Sequence, residues 1–93
     1  MRIEYSARAL ADLDRLFDFI AEHDPFAASR AAERIVEAIL LLANHPYIGR
    51  PLRGDLRELV ISHGRTGYAA VYRVRANAVT ILAIRHQREA GFQ

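Results

Sequence analysis

Past its first few residues, the hydrophobic pattern of this chain changes period once, and that change limits the folds open to it. From Ala7 to Ala43, apolar residues recur every three or four positions; from Leu56 onward they alternate with polar ones. The first period belongs to helices with one apolar face, the second to half-buried strands. Between them lies "PYIGRPLRGD" (46–55), a Pro- and Gly-rich loop. Ninety-three residues suffice for one small domain (1–93), so a single layer of helix must cover a single sheet.

The punctuation divides each half further. "RIEY" (2–5) alternates and predicts a short first strand, whose place in the sheet the sequence leaves open. Ser6 suits the N-cap of a helix over roughly 7–23, with Leu10, Leu13, Phe17 and Ile20 as its apolar stripe. Asp24 suits a second N-cap and Pro25 a first helical position; Ala28, Ala32, Ile35, Ile39 and Leu42 then point inward. Asn44 closes that helix and Pro46 prevents its continuation. The short break predicts a helical hairpin.

"LRELVIS" (56–62), "YAAVYRVR" (68–75) and "AVTILAIRH" (78–86) read as three strands joined by hairpin-sized turns. The predicted fold is α+β, β-α-α-β-β-β: an antiparallel sheet with a C-terminal three-strand meander, covered on one face by the helical hairpin. Strand parity places Tyr72, Val74, Leu82 and Ile84 under the helices. It leaves Arg73, Arg75 and Arg85 beside Val71, Val79 and Ile81 on an open face that is both apolar and basic, which predicts a partner.

Charge supports a functional division. Residues 1–46 carry five Arg against eight acids, whereas residues 47–93 carry eight Arg against three. All 13 basic residues are Arg, whose planar fork binds phosphate and carboxylate bidentately. The C-terminal half therefore suits an anionic partner. Arg73, Arg75, Arg85, His86 and Arg88 form the predicted basic cluster, with Arg50, Arg53 and Arg57 beside it.

Several chemistries lack their residues. There is no Cys, so neither thiolates nor disulfides are available. His23, His45, His63 and His86 have no metal-ligand spacing, and no cofactor is expected. Ser6, Ser29 and Ser62 lie in no nucleophile motif, and "GRPLRG" (49–54) lacks the Lys of a phosphate loop. The longest wholly apolar run, 38–43, is far short of the about 20 residues needed to cross a bilayer. With no signal-peptide pattern at "MRIEYSARAL", the expected compartment is the cytoplasm. Metal-free RNA cleavage needs a general base and phosphorane-stabilising cations, which His86 and the arginines could supply.

The order of "AEHDPFAASR", "HPYIGRPL", "LRELVI", "VYRV" and "ILAIRHQRE" resembles the RelE/ParE superfamily of toxins from bacterial type II toxin–antitoxin modules. The resemblance covers nearly the whole chain. It implies the same β-α-α-β-β-β fold, a cognate antitoxin whose C-terminal segment wraps the toxin, and a higher-order toxin–antitoxin hetero-oligomer. It also implies growth arrest and plasmid stabilization.

The superfamily has two activities. RelE-like members are ribosome-dependent mRNA endonucleases; ParE-like members inhibit DNA gyrase and are not enzymes. Nuclease members tend to carry an Arg two to three residues before the "VY" that matches Val71 and Tyr72, where this chain has Ala69 and Ala70. They often end with a catalytic Tyr, where this chain has Phe92, and some carry a loop Glu absent near Arg50. The expectation is thus a ParE-like gyrase inhibitor, with no assigned catalytic residue. His86 and Arg85 would be catalytic if the chain were RelE-like, with ribosome and mRNA as partners. A non-toxic partner-binding module is the further alternative. Leu13, Phe17, Val71, Val79 and Ile81 are the expected antitoxin-binding residues.

Overall fold

A computed structural model describes residues 1–87. The elements are β1 (Arg2–Tyr5), α1 (Ala7–Ala21), α2 (Pro25–Leu40) with a 3-10 turn at Leu41–Ala43, β2 (Arg50–Pro51), β3 (Leu56–His63), β4 (Thr66–Arg75) and β5 (Ala78–His86). The two N-caps form as expected. Ser6 Oγ accepts from the Ala9 N–H at 3.0 Å, and Asp24 Oδ1 accepts from Phe26 and Ala27. These bonds satisfy donors that a helix start otherwise leaves unpaired.

The sheet order is β1-β5-β4-β3-β2. The meander β3-β4-β5 is antiparallel, and β2 adds a two-residue antiparallel edge that the sequence left as loop. The expectation of an antiparallel sheet is corrected at β1, which runs parallel to β5, with Arg2 opposite Ala78 and Tyr5 opposite Ile81. The sheet is therefore mixed. The long route from β1 through both helices and back permits this pairing, which a tight hairpin would forbid.

The buried stripe of α1 is one residue off the expected one. Ala9 and Leu16 are buried and Leu13 and Ile20 pack against the core, whereas Leu10 (51% exposed) and Phe17 (37%) lie at its edge. Small Ala9 takes the closest approach to the sheet. On α2, Ala28, Ala31, Ile35, Ala38 and Ile39 face inward. The core joins these residues to Ile61, Tyr68, Ala70, Tyr72, Val79, Ile81 and Ile84.

Strand β5 changes face midway. Val71 pairs with Ala83, but Tyr72 pairs with Ile81, so Leu82 is an extra residue in a β-bulge. Simple alternation would separate the faces of Ile81 and Ile84, yet both are fully buried under the helices. Val79 and Ile81, expected on the open face, thus belong to the core, and Leu82, expected inside, is only partly buried. The N-terminus of α1 satisfies the bulge. Ser6 N–H donates to Ile81 O at 2.9 Å, Ser6 Oγ donates to Leu82 O at 3.2 Å, and Asp12 Oδ2 accepts from the Ile84 N–H at 2.9 Å.

Candidate functional site

Cross-strand register defines the open face row by row, because residues directly opposite share a face. Val60, Ala69 and Arg85 form one row; Glu58, Val71 and Ala83 the next; Leu56, Arg73 and Thr80 the third. Val60 is 48% exposed. An apolar and basic open face is present, carried by Val60 and Val71 rather than by Val79 and Ile81.

Most of the arginines singled out in the sequence are engaged within the chain. Arg50 grips the carboxylate of Glu58 through Nε at 2.8 Å and Nη2 at 2.7 Å. Glu58 is 5% exposed and is the buried charged residue of the open face. Arg57 Nη1 donates to Gly49 O at 2.8 Å and Tyr47 O at 3.1 Å, and its guanidinium lies 5.0 Å above the Tyr47 ring. Its register partner is the buried Tyr72, so it lies on the helix-covered side. Arg73 and Arg75 share Asp55 at 3.5 and 3.4 Å. Arg53 is exposed in the loop. Arg88 and Phe92 lie outside the described residues.

The loop holding Arg50 is locked onto the sheet by Tyr72. Its hydroxyl donates to Pro46 O at 2.8 Å and accepts from the Gly49 N–H at 2.9 Å. A Cβ at Gly49 would lie 2.5 Å from that oxygen, so only glycine fits. Burial is the main influence on the Tyr72 phenol and raises its pKa, against the opposing pulls of the Gly49 N–H and Arg57.

Arg85 and His86 separate. Arg85 pairs with Ala69 on the open face, whereas His86 pairs with Tyr68 on the helix-covered side. There His86 Nε2 is hydrogen-bonded to Thr66 Oγ1, and its ring meets Tyr68 edge-on with centroids 5.3 Å apart. His63 lies on the other side of Tyr68 at 6.4 Å. The expected basic cluster thus divides between two faces.

Sequence reasoning missed the groove beside His86. It has a volume of about 730 Å³ and opens between the helical hairpin and the far end of the sheet. Leu16, Phe19 and Ile20 of α1, Ala27 and Ala31 of α2, and Tyr68 line its apolar part; Arg15, His63, Thr66 and His86 supply polar groups. The small alanines of α2 leave the space. The one signal in the sequence was their i,i+4 spacing. Glu58 was also missed, though its parity with Leu56 and Val60 put it on the arginine face. Among the described residues no group of three His, Cys, Asp or Glu could hold a metal ion, and no helix is long and apolar enough to cross a membrane.

Known proteins resemble this chain over nearly its whole length. The family model for the ParE toxin of type II toxin-antitoxin system, parDE, matches residues 3–91. Toxin RelE3 of Caulobacter vibrioides is 39% identical over 87 residues, covering 94% of this chain and 95% of the relative. Toxin RelE2 of the same organism is also 39% identical, covering 91% and 93%. Among solved structures, the chromosomal ParDE system of P. aeruginosa aligns with a TM-score of 0.78 at 29% identity, covering 92% of this chain and 95% of that one. A chain of the intact E. coli RelBE toxin-antitoxin complex shares the fold at 19% identity, with a TM-score of 0.67 and coverage of 95% and 98%.

Proposed function

This chain belongs to the ParE toxin family of type II toxin–antitoxin systems, and we propose from that premise that it arrests growth by binding DNA gyrase, without enzymatic chemistry, until a cognate antitoxin neutralises it. The observation that carries this reading is the division of Arg85 and His86 between opposite faces of the sheet. A ribonuclease needs its base and its phosphate-stabilising cations around one phosphate. Here the candidate base abuts Thr66 and Tyr68 on one side, and the candidate cations Arg73 and Arg85 lie on the other.

The middle of the open face supports the same conclusion. Glu58, held by Arg50, sits between the rows of Arg73 and Arg85 with Val71 and Ala83 across from it. The Arg50–Glu58 pair there is close to neutral and adds no free cation for a phosphate backbone, while exposed Val60 suits contact with a protein. In this reading the target-binding residues are Arg73, Arg75, Arg85 and Arg53 with Val60 and Val71. The antitoxin is met by the edge residue Phe17 and the partly buried Leu13 beside it, and not by the buried Val79 and Ile81.

The test is incubation of the purified protein with gyrase and supercoiled plasmid. Accumulation of the cleaved gyrase–DNA complex is expected; unchanged supercoiling without cleavage complex, well above micromolar protein, refutes the reading. A second reading, ribosome-dependent mRNA cleavage, is favoured by the name RelE carried by the 39% identical relatives. It requires codon-boundary mRNA cuts in cells that express the toxin.

A further inference from the structure

The open face ends, away from Arg85, in a loosely closed ion pair. Arg73 Nε lies 3.5 Å and Arg75 Nη2 3.4 Å from the same oxygen, Oδ2 of Asp55. One carboxylate thus serves two guanidinium groups. Other arginines of the chain close tightly: Arg50 holds Glu58 at 2.7 and 2.8 Å, and Arg2 holds Glu4 at 2.9 Å. Arg73 Nε is also shielded from solvent yet makes no hydrogen bond among the described residues, although a charged donor normally has a carboxylate oxygen within about 2.9 Å.

Asp55 can swing aside without disturbing the loop that carries it. The turn is closed by backbone bonds, from the Leu52 N–H to Leu56 O at 2.9 Å and from the Leu56 N–H to Arg53 O at 3.0 Å, around Gly54 at φ +60°. The Asp55 side chain takes no part in them. It is half exposed, in surroundings where an ion pair contributes little.

We infer that Arg73 and Arg75 form an anion seat for a carboxylate side chain of the target, and that Asp55 fills this seat as a built-in competitor that the incoming carboxylate displaces. The inference rests on the gyrase reading above, which supplies the partner; the seat supplies the chemistry of the contact and its regulation. A carboxylate fits this seat better than a nucleic-acid backbone. The seat already takes one, and its neighbours interrupt the run of cations. Leu56 flanks Arg73, while Val71, Ala83 and the Arg50-bound Glu58 separate it from Arg85. An isolated acid on an apolar protein surface matches that spacing, whereas a phosphate backbone asks for successive cations.

Displacement gives the test a sign. A residue that only oriented the arginines would weaken binding when its charge is removed; a competitor strengthens it. The probe is purified gyrase, with and without plasmid DNA, titrated against the chain at low and high salt. Asp55→Asn keeps the shape and removes the charge, and should tighten binding to DNA-free gyrase about two- to fivefold at low salt, with the gain fading at high salt. Asp55→Ser, which also suits a turn, should give the same gain. Asp55→Glu retains the competing charge and should stay within about twofold of the unaltered chain. With Arg73→Gln and Arg75→Gln both in place, Asp55→Asn should bring no gain.

Gyrase binding that Asp55→Asn and Asp55→Ser leave unchanged or weaken overturns the inference and spares the gyrase reading. A gain that survives loss of both arginines also overturns it. A gain seen only with DNA present assigns the seat to phosphate and overturns it as well. Failure of the unaltered chain to bind gyrase, with or without DNA, overturns both.

Discussion

The carboxylate of Asp12 in α1 accepts a hydrogen bond from the backbone N–H of Ile84 in β5 at 2.9 Å, across 72 residues of sequence. β1 pairs with β5 only as far as Ile81, and the bulge at Leu82 follows at once. Asp12 therefore takes over, from a helix, an edge that a strand has just left. Asp12→Ala strands that N–H and should destabilise the fold by about 1–3 kcal/mol in denaturant unfolding. Asp12→Asn keeps an acceptor and should lose about half as much or less.

Gly49 and Tyr72 interlock. Gly49→Ala drives a methyl into the phenol oxygen and the Glu58 carbonyl, so it should destabilise by about 2–4 kcal/mol. Tyr72→Phe should cost about 1–3 kcal/mol through the unpaired Gly49 N–H. Because the two share one contact, the double variant should be less destabilised than the sum of the singles.

Alkali should unfold this protein. Burial raises Tyr5, Tyr68 and Tyr72 above the ordinary phenol value of 10.0. The folded state then holds protons that the unfolded state releases above about pH 10, so stability is intact below that pH and falls as pH rises past it. A phenolate absorbance titration should show these three rings ionising late, together with loss of the circular dichroism signal. Ionisation of all three at their ordinary value in a still-folded protein would contradict the account.

Ala76 occupies the β4–β5 turn with φ of +49°, a left-handed conformation that costs an L-residue about 1 kcal/mol or more. Ala76→Gly should therefore raise stability by about 0.5–1 kcal/mol, read from the shift in unfolding midpoint.

The two faces of β5 should be functionally separable. On the proposed gyrase-binding reading, Arg85→Glu should weaken inhibition about tenfold or more, while His86→Ala should change it by less than about threefold. Equal losses from both variants would mean that the two residues serve one site.

Much of this architecture was legible because its signals are local. Ser6, Asp24 and Pro25 declared both helix starts, since caps and a fixed φ act on immediate neighbours. The period-two runs of β3 and β4 gave the meander and its pairing. Placing Arg73, Arg85 and Val71 on one face followed from alternation alone, which holds within an unbroken stretch.

The rest depended on partners distant in sequence. Alternation fails at Leu82, and the residues that satisfy the bulge, Ser6 and Asp12, lie more than 70 positions away. No local pattern in "TILAIRH" announces that Ile81 and Ile84 both turn inward. The engagement of Arg50 by Glu58 and of Arg57 by the carbonyls of residues 47 and 49 likewise required β2 to fold against β3.

What the sequence by itself determined was the inventory: two capped helices, a three-stranded meander and a basic C-terminal half. Alternation already set Arg85 and His86 on opposite faces, but which arginines are held inside the chain, and that a groove opens beside Tyr68, emerged only when the chain closed. The physical reason is that caps and periodicity are nearest-neighbour effects, whereas bulge register, ion pairing and unfilled volume arise from surfaces that meet only when the chain closes.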